Sequence, residues 1–241
     1  MNVMVLGPAG CGKSLLTEKF GAYLEKKGYS VRYVNLDPGC LSVSYTYKCS
    51  FDVRERITVE KIMKIEKLGP NGAMIRAMEK LEDIEIPNYN EDFVLIDTPG
   101  QLEIFSFHRC GPKIVKQLKD PVGVFIIDAS IDVKDLPAMY LYSLATRYRL
   151  GIDAINIFNK ADLLDKKEIE TIRNFVLNPV KFKEIIKEKS ALLDVYSPIS
   201  EMLQKVLPAQ RIPFVSAKNG TGSDELLDML YEIRCSCGDL T

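Results

Sequence analysis

The chain has one histidine, His108, and six cysteines scattered as Cys11, Cys40, Cys49, Cys110, Cys235 and Cys237 with no C-x-x-C pair. That usage fits reduced thiols rather than a disulfide framework, and it supplies no ligand cluster for a transition metal. Neither sign of charge is in surplus: 32 Lys and Arg face 33 Asp and Glu, for a net charge of −1. Bulk electrostatics therefore indicate no nucleic-acid or membrane surface, although a local basic patch is still allowed. No run of about 18 apolar residues occurs, and no cationic leader precedes the first apolar run at residue 3, so a soluble, cytoplasmic protein is expected. Repeats and low-complexity segments are absent too. The 241 residues fit one large α/β domain or two small ones, and one domain over 1–241 is the expectation.

What the sequence does have is Gly7-Pro8-Ala9-Gly10-Cys11-Gly12-Lys13-Ser14, placed between the apolar run Val3 to Leu6 and a helical pattern. Glycines let several backbone N–H groups face one point, and the following helix directs its positive end there, which makes a phosphate-binding loop. Gly10, Cys11, Gly12, Lys13, Ser14 and Leu15 are the candidate lining. Lys13 would reach the β- and γ-phosphates, and Ser14 would ligate Mg²⁺.

Apolar spacing at Leu16, Phe20 and Leu24, stopped by Gly28, predicts a helix over about 14–27. Val31 to Leu36 reads as a strand ending in the turn Asp37-Pro38-Gly39, and residues 40–56 read as a mobile loop. Helices are predicted from Thr58 and again through Met74, Ile75, Met78 and Leu81, with an interruption at Gly69-Pro70-Asn71-Gly72. Three apolar runs, at 93–96, 122–128 and 154–159, read as buried strands separated by helical patterns. Residues 165–210 read as a charged helical insertion, with Ser197-Pro198 as cap and first turn of an amphipathic helix and Lys181 to Lys189 as a solvated face. A short strand at 212–215 and a last helix through Leu226 and Leu230 follow. Alternation of this kind predicts an α/β fold of three layers: a mainly parallel sheet with helices on both faces.

Further motifs fall where strands end. Asp97 can hold Mg²⁺ through water, and the Gly100 N–H lies where a γ-phosphate oxygen would sit. In Asn159-Lys160-Ala161-Asp162, a carboxylate at Asp162 can accept from the N1–H and the exocyclic amine of guanine, whereas adenine offers neither donor there. The predicted nucleotide is GTP. Asn159 would brace the loops and Lys160 would lay its stem along the ring. Ser216-Ala217-Lys218 would supply the Ala217 N–H to the guanine O6. Asp37 suits a carboxylate facing Mg²⁺ or the attacking water, or a plain turn-forming aspartate.

Together these resemble the five-motif set of the GTPases and imply the P-loop NTPase fold. Lys13 and Asp97 stand about twice as far apart as in a small signalling GTPase, and the extra segment, about 57–84, contains Gly69-Pro70-Asn71. That tripeptide resembles the GPN-loop GTPases, as do Asp52-Val53-Arg54-Glu55, Gln101-Leu102-Glu103 and the terminal Cys235 to Leu240. The resemblance implies a nucleotide-gated homodimer in which Asn71 reaches the phosphates of the opposite subunit. It also implies that Gln101 and Glu103 handle water, with Asp37 and Asp97 near magnesium. By resemblance alone, a protein client such as the RNA polymerase assembly machinery, which eukaryotic members assist, is implied; direct nucleic-acid or membrane contact is not expected of this chain.

Chemistry adds its own expectations. Lys13 and Mg²⁺ supply charge and Gln101 orients water; Glu103 either polarises that water or is a surface carboxylate opening the next helix. Asn71 brings no charge and no arginine stands out as a finger, which predicts slow turnover. His108 reads as structural, and Cys235 and Cys237 as inert thiols. The leading function is a Mg²⁺-dependent GTPase. A GTP-dependent chaperone with little hydrolysis is the neighbouring reading. A nickel metallochaperone is disfavoured by the missing ligand cluster, and a P-loop kinase by the base-reading motif.

Overall fold

Side chains alternate across the first strand, β1 (Asn2–Leu6): Val3 and Val5 enter one core, Met4 and Leu6 another on the opposite face. The same division runs along β5 (Pro121–Asp128), where Val122, Val124 and Ile126 face the first core and Phe125 and Ile127 the second. Strands buried on both faces need apolar residues at every position, which is why they read as unbroken runs. The computed structural model describes residues 1–39, 48–178, 192–206 and 211–238.

The remaining strands are β2 (Val31–Asn35), β3 (Phe51–Asp52), β4 (Phe93–Asp97), β6 (Asp153–Asn159) and β7 (Phe214–Val215). They form a seven-stranded sheet in the order β3-β2-β4-β1-β5-β6-β7, parallel at every described pairing. One face is covered by α1 (Lys13–Lys26) and α9 (Ser223–Gly238), through Leu16, Phe20, Leu24, Leu226 and Leu230. On the other lie α2 (Val59–Glu66), α3 (Pro70–Leu81), α4 (Leu102–Phe107), α5 (Cys110–Val115), α6 (Leu136–Leu150), α7 (Lys166–Leu177) and α8 (Leu192–Val206). The predicted three-layer P-loop architecture is therefore the observed one. Because the chain runs from β1 outward to β2 and later crosses to β5 on the other flank, the carboxyl ends of these strands form the crevice where such sheets take ligands. Among the described residues no helix is long and apolar enough to cross a membrane.

Three local readings differ. Residues 51–55 are not loop: Phe51 and Asp52 pair with Val34 and Asn35 and run into a 3₁₀ turn, Val53–Glu55. Two residues carry no period, so the partner strand rather than local pattern makes this element. Pro70-Asn71-Gly72 does not interrupt the helices but forms the first turn of α3, capped by Gly69, where proline's missing N–H costs nothing. The break between α2 and α3 is instead at Lys67, with a left-handed φ of 54°. Pro198 lies inside α8 rather than at its start, and the buried Ser200 and Leu203 dock this helix near α6 despite the backbone hydrogen bond that proline removes. Residues 40–47 of the predicted loop and the solvated run 181–189 lie outside the described residues.

Candidate nucleotide site

The turn from β1 into α1 is built on left-handed backbone: φ is 144° at Gly7, 79° at Gly10 and 95° at Gly12. At Gly12 a Cβ would also stand 2.5 Å from Asn159 Nδ2. Gly12→Ala is therefore expected to displace Asn159, lower stability by about 1–3 kcal/mol and weaken GDP binding, read by thermal melting and equilibrium titration. Lys13 is buried, and its ammonium donates to the carbonyls of Gly7 at 2.8 Å, Pro8 at 3.0 Å and Gly100 at 3.4 Å. Ser14 follows, half-buried, and Leu15 is exposed. Burial pushes the Cys11 thiol up to about 11, so it is an inert side chain in the loop.

Asp37 joins two strand ends. Its Oδ1 accepts from Gly39 N–H at 2.8 Å and its Oδ2 from Gly100 N–H at 2.9 Å. Burial pushes its carboxyl above the ordinary aspartate value, against the pull of those two N–H groups and Lys13. A relay that the sequence reading missed holds it from behind. Asn35 accepts from the Asp37 N–H at 2.9 Å and donates to Asp52 Oδ1 at 2.9 Å, while Arg54 forks onto the Asp52 carboxylate. The nearness of Asp52 and Arg54 in sequence gave the signal, and pairing of the edge strand β3 to β2 is what brings them here.

At the end of β4, Asp97 is buried, and Thr98 Oγ donates to Val5 O at 2.6 Å, fastening this loop to β1. Gln101 caps α4, and its Oε1 is buried with no hydrogen-bond partner among the described residues. Glu103 is exposed and accepts from the Tyr142 hydroxyl at 3.1 Å. Of its two predicted roles, this geometry favours the surface carboxylate opening α4, tied to α6. Asn71 is exposed on α3. His108 faces Glu82 at 3.4 Å and accepts from the Cys110 N–H, a bridge between α4 and the chain after α3. Cys235 is exposed, and the Cys237 side chain lies outside the description.

The base side is braced from several directions. Asn159 Nδ2 donates to Cys11 O at 2.9 Å and its Oδ1 accepts from the Ala217 N–H at 3.0 Å, linking β6 to the phosphate loop and to the loop after β7. The N–H assigned to guanine O6 thus also has an acceptor within the protein, the Asn159 amide oxygen. Asp162 accepts from the buried Ser216 hydroxyl at 2.5 Å, which holds its carboxyl below the ordinary range. Lys160 pairs with Asp128, and Lys218 is exposed. So the structure brings together Lys13, Asp37, Gly100 and Gln101 at one end and Asn159, Lys160, Asp162, Ser216 and Ala217 at the other, and leaves Asn71 and Glu103 outside.

A protein family described as "conserved hypothetical ATP binding protein" matches residues 5–236. GPN-loop GTPase PAB0955 of Pyrococcus abyssi is 39% identical over 253 aligned residues, spanning 100% of both chains. The chain belongs to the GPN-loop GTPases. The crystal structure of PAB0955, described as a GTPase in apo form, superposes on this GPN-loop GTPase with a TM-score of 0.86 at 37% identity, covering 98% of each chain. GPN-loop GTPase 3 of Kluyveromyces lactis is 31% identical over 193 residues, 74% of this chain and 70% of its own. This GPN-loop GTPase is accordingly a GTP hydrolase, and at the strand ends Asn159 ties the loop after β1 to the loop after β7.

Proposed function

We propose that this GPN-loop GTPase is a Mg²⁺-dependent switch that works as a homodimer. The observation that carries the reading is the hydrogen-bonded junction of Lys13, Asp37 and Gly100, which ties the phosphate loop to the ends of β2 and β4. A γ-phosphate drawing on Lys13 and the Gly100 N–H would have to take them from these partners, so its arrival and loss move both strand ends. Ser14, Asp37 and Asp97 offer the hard oxygen donors that Mg²⁺ takes, and the ion when bound would neutralise charge on the β- and γ-phosphates. Lys13 brings the fixed positive charge. Gln101, with a buried amide oxygen that has no partner among the described residues, orients the attacking water.

A second copy would cover the exposed apolar residues Ile65, Leu68 and Ile75, which share the α2–α3 hairpin with Asn71. In that arrangement Asn71 would approach the partner's phosphates. Guanine selection is assigned to Asp162, and regulation of a protein client to the nucleotide-dependent dimer.

Gln101→Ala is the test. GTP affinity should stay within about threefold while single-turnover hydrolysis falls by about a hundredfold, with the nucleotide-loaded protein sedimenting as a dimer. Unchanged hydrolysis would remove Gln101 from the mechanism, and a monomer in every nucleotide state would remove the dimer.

A further inference from the structure

Asp128 ends β5 directly beside Asn159 in the sheet register, and no role at the site has been given to it. Its Oδ1 accepts from the Ser130 N–H at 3.0 Å and from the Ser130 hydroxyl at 2.7 Å. Its Oδ2 accepts from the Lys160 ammonium. Three donors fix this carboxylate in one orientation, so the lysine end is fixed as well.

Lys160 needs that anchor. It is one of three non-glycine residues with positive φ among those described, at 66°, a conformation that costs an L-residue about 1–2 kcal/mol. Such an outlier persists where its surroundings hold it. Asn159 is tied to Cys11 and Ala217 and Asp162 to Ser216, and none of these three bonds fixes the lysine side chain lying between them in sequence. Among the described residues only the Asp128 pair does so, stretching the four-carbon stem between a left-handed backbone and a fixed carboxylate. A stem held in that way presents an apolar edge of set position.

We infer that Asp128 is a positioning residue of the base site, holding the Lys160 stem in place as a wall for the purine ring before nucleotide enters. This rests on the reading of Asn159 to Asp162 as the base-recognition loop. Pre-ordering lowers the cost of binding without adding a contact to the ligand. Both GTP and GDP carry the base, so both gain equally, and hydrolysis at saturation gains nothing.

The experiment is a double-mutant cycle with Asp128→Asn and Lys160→Met, the second keeping the stem and removing the ammonium. Each single variant should weaken GTP and GDP alike by about tenfold, and the double variant should be no weaker than either single one. Competition by inorganic triphosphate, which reports the phosphate loop alone, should be unchanged, as should kcat of Asp128→Asn at saturating GTP. Affinity within twofold of the unaltered protein, additive losses, or an equal loss toward inorganic triphosphate would each overturn the inference. If Asp128→Asn melts before it can be assayed, Lys160→Met and Ser130→Ala carry the test, and full nucleotide affinity in Lys160→Met overturns it. Equal binding of ATP by the unaltered protein would defeat the role given to Asp162, while the cycle is still read on whichever purine nucleotide binds.

Discussion

Asp162→Asn is expected to turn a guanosine-nucleotide binder into one that prefers xanthosine nucleotides. The Ser216 hydroxyl at 2.5 Å keeps the Asp162 carboxyl below its ordinary range, so at neutral pH it is an acceptor only. Guanine presents two donors to it, the N1–H and the exocyclic amine. An asparagine would set an amide N–H₂ against one of them and leave both poorly paired, a mismatch that lowers GTP affinity by about 10³ or more. Xanthine carries a carbonyl where guanine carries the amine, and that oxygen accepts from the new amide. Asparagine retains an acceptor for Ser216, so the fold should be undisturbed. Equilibrium titration with GTP, xanthosine triphosphate and ATP reads the exchange, and a GTP loss under tenfold would show that the carboxylate does not read the base.

Lys13→Ala should lower single-turnover hydrolysis by about 10³, with a smaller loss of GTP affinity. The ammonium is buried among three carbonyls and reaches both the phosphate loop and Gly100. Its charge is therefore held in place with little solvent to reorganise, which is what makes it effective against charge developing on a transferring phosphoryl group. The variant leaves those carbonyls short of a donor, at about 1–3 kcal/mol if they stay dry, so a melting curve should accompany the kinetics. Hydrolysis at saturating GTP within tenfold of the unaltered protein would assign the charge to another group.

Much of this was readable in the linear sequence because the strands are buried on both faces and their motifs sit at strand ends. An unbroken apolar run followed by Asp97-Thr98-Pro99-Gly100 or Asn159-Lys160 places polar side chains at the mouth of the sheet with no further information. What escaped depends on partners far along the chain. Asn159 takes the Ala217 N–H from 58 positions away, and nothing near Ala217 announces that this donor is used. Tyr142 claims Glu103 across 39 positions, and the period of α6 carries no sign of it. The relay from Arg54 through Asp52 and Asn35 to Asp37 exists only once a two-residue strand has paired. Pro198 was misplaced for the opposite reason: a strong local rule was overridden by docking of the helix around Leu203.

The two-residue strands at the sheet margins have a consequence for how the protein opens. β1, β4 and β5 lie between other strands, and their amides should exchange with solvent only when the whole domain unfolds. β3 and β7 contribute two residues each and, among the described residues, have a neighbour on one side. Yet β3 holds the relay behind Asp37, and β7 leads into Ser216 and Ala217 on the base side. Each end of the nucleotide crevice thus rests on a margin that can detach at a fraction of the global unfolding free energy. Amides of β3 and β7 are therefore expected to exchange with solvent well ahead of those of β1, β4 and β5, read by hydrogen exchange.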